Sequence, residues 1–376
     1  MDTMIWSLIL LVTAGITVGC LIFIRHIKSA NLRRGVILAA TALILVPSIW
    51  LSVRFPLNAG VILLHLTGYL IGALIVDAIL DLIVKKRAGK KEAEPRAKRL
   101  SRIAAAAMVG CLLYLIAGYV NAGWIRRTAY DLDTNKALAG GHLRIAQLSD
   151  VHLGTTMDSK KFEDLLARIS DENADILVVT GDLIDENTSR EEMLRCCAAF
   201  SGKCTVEEIY YIAGNHDVYE DMAFTEEELF KALEDNGVSV LRDDVVLTAG
   251  GYYIIGRKDA SENRKIMAEL FKEVDPSKYT IVLDHQPNDF NRESQAGADL
   301  VLAGHMHGGY LFPMRLAAPL LTGFFGDSDR IEGTETRNNT TFIVSSGAGT
   351  WGCSFKTGAI SEYVIIDITA ATSGRS

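Results

Sequence analysis

Asp150 and His152 stand two residues apart, just past the apolar run at 143–148. That spacing in an extended chain puts both side chains on one face, so a carboxylate and an imidazole can aim at one point beyond the strand. An anionic oxygen with a neutral nitrogen is the donor pair of a borderline divalent cation. Four more clusters of the same residue types follow: Gly181-Asp182, Gly214-Asn215-His216-Asp217, Asp284-His285 and Gly304-His305-Met306-His307. They hold, with His152, five of the eight histidines; the others are His26, His65 and His142. One such cluster could be a turn or a helix cap. Five of them, each just after an apolar run, point to a shared site.

The elements that position these clusters alternate in type. Short apolar runs rich in β-branched residues predict strands at 143–148, 176–180, 208–213, 279–283, 299–303, 341–346 and 363–368. A strand pair over 245–255 turns at Gly250-Gly251. Helices are expected over 160–169, 190–200, 225–235 and 266–271, the first with Phe162, Leu165, Leu166 and Ile169 on one face. This is an α/β pattern, and in such sheets ligands collect outside the carboxyl ends of the strands. Gly181, Gly214 and Gly304 allow tight turns and close backbone approach there.

As a set, Asp150-x-His152, Gly181-Asp182, Gly214-Asn215-His216-Asp217, His285 and Gly304-His305-Met306-His307 resemble the motifs of the calcineurin-like metallophosphoesterases. The likeness runs from about residue 143 to 368 and includes all five motifs. Gly308-Gly309 and Ser345-Ser346-Gly347-Ala348-Gly349-Thr350 are similar to the bacterial membrane-associated branch. The resemblance implies a two-sheet β-sandwich flanked by helices, with two metals at one sheet edge. By the same resemblance, one metal takes Asp150, His152 and His307, the other takes Asn215, His285 and His305, and Asp182 bridges them. Physical chemistry agrees, because two cations about 3.5–4 Å apart share an anionic oxygen, clamp a phosphate and acidify water. His216 is expected to act as general acid or to stabilise developing charge, with Asp217 orienting its ring. Met306 occupies a position where the family commonly has a small polar residue, and its side chain is expected to point away from the metals. No arginine clamp of the phosphoprotein-phosphatase kind is evident. Mixed oxygen and nitrogen ligands suit Mn, Fe or Zn.

Composition divides the chain. Of the 376 residues 49% are hydrophobic, and four long apolar runs predict transmembrane helices at 3–24, 35–53, 55–84 and 103–125. The first has its basic residues (Arg25, Lys28, Arg33, Arg34) after the apolar run, the wrong order for a signal peptide. These residues and the basic run from Lys85 to Arg102 are expected on the cytoplasmic side. The N-terminus and everything after Trp124 are then extracytoplasmic, so the protein is expected to be multi-pass with its catalytic domain outside. The organisation expected is a four-helix membrane region at 1–127, a linker at 128–141, the catalytic domain at 142–370 and a tail at 371–376. Asp77 and Asp81 lie four residues apart on one helix face and are expected to reach water or the basic loop. His65 is expected to hydrogen-bond between helices. No cysteine pair has zinc-ribbon spacing, and Cys204 is the residue that a disulfide could use if the domain is exported.

Charge narrows the partners. Residues 1–141 carry 17 Lys and Arg against 7 Asp and Glu, whereas the remainder carries 21 against 39. An acidic domain is not built to grip nucleic acid, and the basic part suits loops beside anionic lipid. The stretch 310–325 is apolar apart from Arg315 and could wall the site toward the bilayer. Together these features lead to a dinuclear-metal phosphoesterase acting on a phosphate ester or pyrophosphate of a lipid-linked substrate. The alternatives are hydrolysis of soluble nucleotides or cyclic phosphodiesters by an anchored domain, and a metal-dependent sensor without turnover.

Overall fold

The computed structural model describes residues 56–87, 96–219, 222–312 and 330–371. The chain divides into two compact units, 1–119 and 120–376.

In the first unit, α1 (Pro56–Arg87) and the greater part of α2 (Arg96–Gly123) are the third and fourth apolar runs of the sequence. The windows Gly60–Val84 and Arg96–Gly123 are long and apolar enough to cross a membrane. Large apolar side chains such as Ile75, Leu82, Leu112 and Leu113 are exposed along them. The runs expected at 3–24 and 35–53 lie outside the described residues. Asp77 accepts hydrogen bonds from Arg96 Nε at 2.8 Å and Arg99 Nε at 2.9 Å, and Asp81 accepts from Arg99 Nη2 at 3.2 Å. The two carboxylates are thus matched by arginines at the start of α2. The expectation for His65 is corrected. Its Nδ1 lies 2.7 Å from Val61 O of the same helix, and its ring tilts against Tyr114 at 5.4 Å.

The second unit is two six-stranded mixed sheets, packed face to face, with helices on both outer faces. One sheet runs β1 (Ile125–Thr134), β12 (Ser361–Ala370), β2 (His142–Leu148), β3 (Ile176–Thr180), β4 (Glu208–Ile212), β5 (Val238–Val240). The other runs β10 (Gly333–Arg337), β11 (Thr340–Val344), β9 (Leu300–Ala303), β8 (Thr280–Leu283), β7 (Tyr253–Gly256), β6 (Asp244–Leu247). Strands with both faces covered should read as continuous apolar runs, and Ile176–Thr180 and Leu300–Ala303 are buried at every position. Ile145, Val178 and Ile212 of one sheet meet Ile281, Leu302 and Ile343 of the other. Outside the first sheet, α3 (Ser159–Ser170) and α4 (Arg190–Lys203) pack Phe162, Leu166, Met193 and Phe200. Outside the second, Met267, Leu270 and Phe290 cover Val282, Val301 and Phe342.

Residues 128–141, expected as a linker, are largely structured. Ile125–Thr134 forms β1 and pairs in parallel with the full length of β12. Its side chains alternate, with Tyr130 and Leu132 against the inter-sheet core and Arg127, Asp131 and Asp133 outward. A charged outer face is how an edge strand avoids further pairing, and those charges mask it in the sequence. The helix-to-sandwich transition is correspondingly earlier than expected. Asn121 Nδ2 donates to Lys356 O at 2.7 Å and to Ala359 O at 2.6 Å, and Ser361 Oγ donates to Ala122 O at 3.0 Å. The described cysteines, Cys204 among them, are free thiols, so no disulfide forms there.

Candidate metal centre

The five clusters meet where the carboxyl ends of β2, β3 and β4 face those of β8 and β9. Five bonds fix that meeting. Gln147 Nε2, buried on β2, donates across the sandwich to Ala303 O at 2.9 Å and to Thr180 Oγ1 at 3.1 Å. His285 Nδ1 lies 2.8 Å from Thr180 O. The backbone N–H of Asp150 donates to Gly181 O at 3.0 Å and that of His152 to Asp182 O at 3.1 Å, so the loops after β2 and β3 run together. Asp150, His152, Asp182, His305 and His307 all have positive φ, between 44° and 70°. For residues with a Cβ this conformation costs about 1–2 kcal/mol each. Such strain persists where surrounding structure imposes it, and it clusters at functional sites.

Two groups result. Asp150, His152 and His307 offer ligand atoms within 4.8 Å of one another, and so do Asp182, His285 and His305. His152 Nε2 and His307 Nε2 face each other at 3.1 Å, and His307 Nε2 is 3.5 Å from Asp150 Oδ1. Asp182 Oδ2 lies 3.1 Å from His285 Nε2 in its own group and 3.5 Å from His152 Nε2 in the other. Asn215 Oδ1 is buried with no hydrogen-bond partner, as are His285 Nε2, His152 Nδ1 and His307 Nδ1. Buried polar atoms are ordinarily paired. The partnerless Asn215 Oδ1, and the Nε2 atoms of His152 and His307 facing each other at 3.1 Å beside Asp150 and Asp182, are what a pair of divalent cations would satisfy, so the residues fit such ions. His285 Nδ1, as donor to Thr180 O, leaves the Nε2 lone pair toward the site, the usual orienting device of a ligating histidine.

Electrostatics point the same way. Burial pulls His152 down to about 3 and His305 to about 4, and holds His307 well below the ordinary histidine range. All three are neutral at physiological pH, the form in which an imidazole ligates. Burial pushes Asp150 up to about 6, with the Asp182 charge adding to it. Burial acts against the charge on Asp182 too, but the facing His285 wins and holds the carboxyl well below its usual range. His285 is raised in return.

Gly304 shows how closely the second sheet approaches. A Cβ there would run into Ser149 Oγ and Asp150 Oδ2. Gly304→Ala should therefore displace Asp150 and weaken cation binding at the first group by about tenfold to a hundredfold, the usual loss when an outer support is disturbed. Calorimetric titration with Mn(II) would measure it. Wild-type affinity at both sites would show that Asp150 is not confined by this contact.

One expected role is corrected. Asp217 does not orient the His216 ring. Its oxygens accept from the backbone N–H of Ile184 at 3.0 Å and of Gly214 at 2.9 Å, so it closes the loop that carries Asn215. The carboxylate beside the ring is Glu186, with Oε2 3.4 Å from His216 Nδ1. Glu186 also accepts from Trp351 Nε1, at 2.9 and 3.2 Å to its two oxygens. Lys356 was likewise hidden in the sequence. Fully buried, it donates from Nζ to Ser346 O and to Gly347 O, and burial lowers it to about 8. It pins the loop 345–350, whose Ala348 N donates to Ser149 O at 2.9 Å and Gly349 N to Asp150 O at 2.8 Å. The apolar stretch expected at 310–325 is described only to Phe312; the remainder lies outside the described residues. Tyr310 turns inward, its hydroxyl donating to Trp351 O at 2.8 Å.

The profile of the calcineurin-like phosphoesterase family matches residues 143–309. An uncharacterised metallophosphoesterase of Aquifex aeolicus is 31% identical over 252 residues, 65% of this chain and 92% of that protein. One of Campylobacter jejuni is 29% identical over 232 residues, 60% of this chain and 59% of its own length. A Bos taurus protein named "Transmembrane protein with metallophosphoesterase domain" is 29% identical over 248 residues, covering 61% of this chain and 53% of that one. The match thus spans little more than half the length of the Campylobacter and bovine relatives.

Proposed function

Because the chain belongs to the calcineurin-like phosphoesterases, we propose that it is a metal-dependent hydrolase that cleaves a phosphate ester or pyrophosphate. The observation that carries this reading is the pair of ligand groups with Asp182 Oδ2 between them. Asp150, His152 and His307 would hold one cation, and His285, His305 and Asn215 the other, with Asp182 shared. When bound, two such cations neutralise phosphoryl oxygens and supply a water-derived nucleophile at neutral pH. The protein's own groups do the rest. The neutral imidazoles and the strained loops fix donor positions before substrate arrives. His216, 14% exposed at the rim, gives a proton to the leaving oxygen.

The substrate in this reading is carried on a lipid. Two apolar helices, with exposed apolar side chains and arginine-matched carboxylates, support membrane attachment. The naming of the bovine relative as a transmembrane protein agrees with it. Attachment would hold the domain near lipid-linked phosphates and raise their effective concentration. With the N-terminus outside, the catalytic domain would face away from the cytoplasm. A second reading, soluble nucleotides, draws on Trp351 and Tyr219, whose rings lie 4.9 and 6.3 Å from that of His216 and could stack on a base.

Metal analysis of the purified full chain, with a phosphate-release screen over lipid phosphates in detergent and over nucleotides, tests these readings together. Two equivalents of metal and faster release from lipid phosphates are expected. Faster release from nucleotides would favour the second reading. A protein that takes up no metal at saturating Mn(II) and Zn(II) would end both.

A further inference from the structure

We infer that Glu186, braced by Trp351, is the residue that positions His216 for proton donation to the leaving group. The inference rests on the hydrolase reading above and adds the positioning group that reading lacks. Three carboxylates follow closely on the Gly181-Asp182 and Gly214-Asn215 motifs, and two are committed to other partners. Asp217 holds the amides of Ile184 and Gly214. Asp185 accepts from Asn187 N at 2.8 Å and from Thr155 Oγ1 at 3.2 Å. Glu186 alone of the three faces the ring of His216. Its Oε2 stands 3.4 Å from Nδ1, an ion pair a few tenths of an ångström short of a formed hydrogen bond.

Trp351 supplies what an acidic side chain 38% exposed to solvent otherwise lacks, a fixed direction. Its indole N–H reaches both Glu186 oxygens, and its ring lies 4.9 Å from that of His216, tilted by 44°. One tryptophan therefore holds the carboxylate and covers the imidazole. The loop that carries Trp351 is itself anchored at Asp150 through Gly349 N, so the acid and the first ligand group share a support.

The chemistry balances. His216 in its doubly protonated form gives the Nε2 proton to the leaving oxygen. The P–O bond breaks and its electron pair stays on that oxygen, which the proton converts to a hydroxyl. The ring ends neutral, with Nδ1–H still directed at Glu186. A carboxylate there favours the one ring orientation that presents Nε2 to the site. The benefit should scale with how much the leaving group needs a proton.

The test compares Glu186→Gln, Trp351→Phe, His216→Asn and Glu186→Gln/His216→Asn in the metal-loaded full chain, on aryl phosphates from p-nitrophenyl to p-methoxyphenyl. His216→Asn should steepen the dependence of kcat on leaving-group basicity. Glu186→Gln should steepen it in the same sense, with kcat down about tenfold on the most basic leaving group and KM little changed. The double variant should be no slower than His216→Asn. Trp351→Phe should show a weaker version of the Glu186→Gln effect. If Glu186→Gln keeps the wild-type slope while His216→Asn steepens it, the positioning role is wrong and the hydrolase reading stands. If His216→Asn also keeps that slope, the acid role falls, and this inference with it. Nitrogen NMR of the His216 ring gives a readout independent of turnover. Nδ1 should be protonated in wild type and should lose that preference in Glu186→Gln; identical spectra would overturn the inference.

Discussion

Asp182→Asn is expected to abolish turnover and leave the domain folded. Asparagine keeps the shape and keeps an oxygen to accept the backbone N–H of His216, now at 2.9 Å from Oδ1. The backbone carbonyl that receives His152 N is untouched. What the variant loses is the charge on the atom between His285 Nε2 and His152 Nε2. Two cations at close range need that anionic oxygen to offset their repulsion, and an amide supplies only a dipole. Turnover should fall at least ~10³-fold, about 4 kcal/mol of transition-state stabilisation, with one metal equivalent lost. The metal-free protein should respond differently. His285 is raised because Asp182 faces it, so without that charge it should deprotonate and the metal-free fold should change little in stability. Metal content, turnover and a thermal melt on the same preparation separate these effects. Wild-type turnover with two bound metals would remove Asp182 from the centre of the site.

The clustering of Asp150, His152, Asp182, His285, His305 and His307 was legible in the sequence because each closely follows an apolar run that could hardly be anything but a buried strand. Position after a strand places a side chain at a sheet end, and the alternation of strands and helices brings those ends together. Asp217 marks the limit of that reasoning. Adjacency to His216 in the chain suggested contact with its ring, but the turn after β4 sends the Asp217 carboxylate back onto the amides of Gly214 and Ile184. Glu186 could not be read at all. It lies 30 residues before His216, and nothing in a sequence says which of several surface acids a ring will meet. Lys356 looks like any solvated lysine until the carbonyls of Ser346 and Gly347 converge on its ammonium. The missed strands share one cause. Ile125–Thr134, Val238–Val240 and Gly333–Arg337 are edge strands, the first two interrupted by polar residues and the third without an apolar side chain, so none shows the apolar run by which the inner strands were recognised.

Arg257→Met should destabilise the catalytic domain more than any change at the rim of the site. Arg257 is 2% exposed at the end of β7, and its Nη1 meets Asp284 Oδ2 at 2.7 Å, Asp289 Oδ2 at 3.0 Å and Glu293 Oε1 at 3.2 Å. Methionine fills much of the volume but strands Glu293 and leaves Asp289 only the exposed Arg292, 3.0 Å from its Oδ1. Removing one partner of a buried ion network costs about 3–5 kcal/mol. Arg264, 2.9 Å from Asp284 Oδ1, limits the loss there but lies 3.9 Å from Asp289. The pH dependence has a definite sign. Burial already holds Glu293 well above the ordinary carboxyl range, with the Asp284 charge raising it further and Arg257 opposing. Without Arg257 the folded-state value rises again, while the unfolded value stays near 4.3. Between the two, the native state binds more protons than the unfolded chain, so stability grows as pH falls through the folded value. The variant should regain part of its loss on acidification and lose most at alkaline pH, more steeply than wild type. Because Asp284 precedes His285, the same variant should loosen the second ligand group and weaken its cation before the domain unfolds. Urea midpoints at about pH 5 and about pH 8, with Mn(II) affinity at each, decide the matter. A pH-independent loss below about 1 kcal/mol would mean that water reaches these carboxylates and that Arg257 does not hold the cluster together.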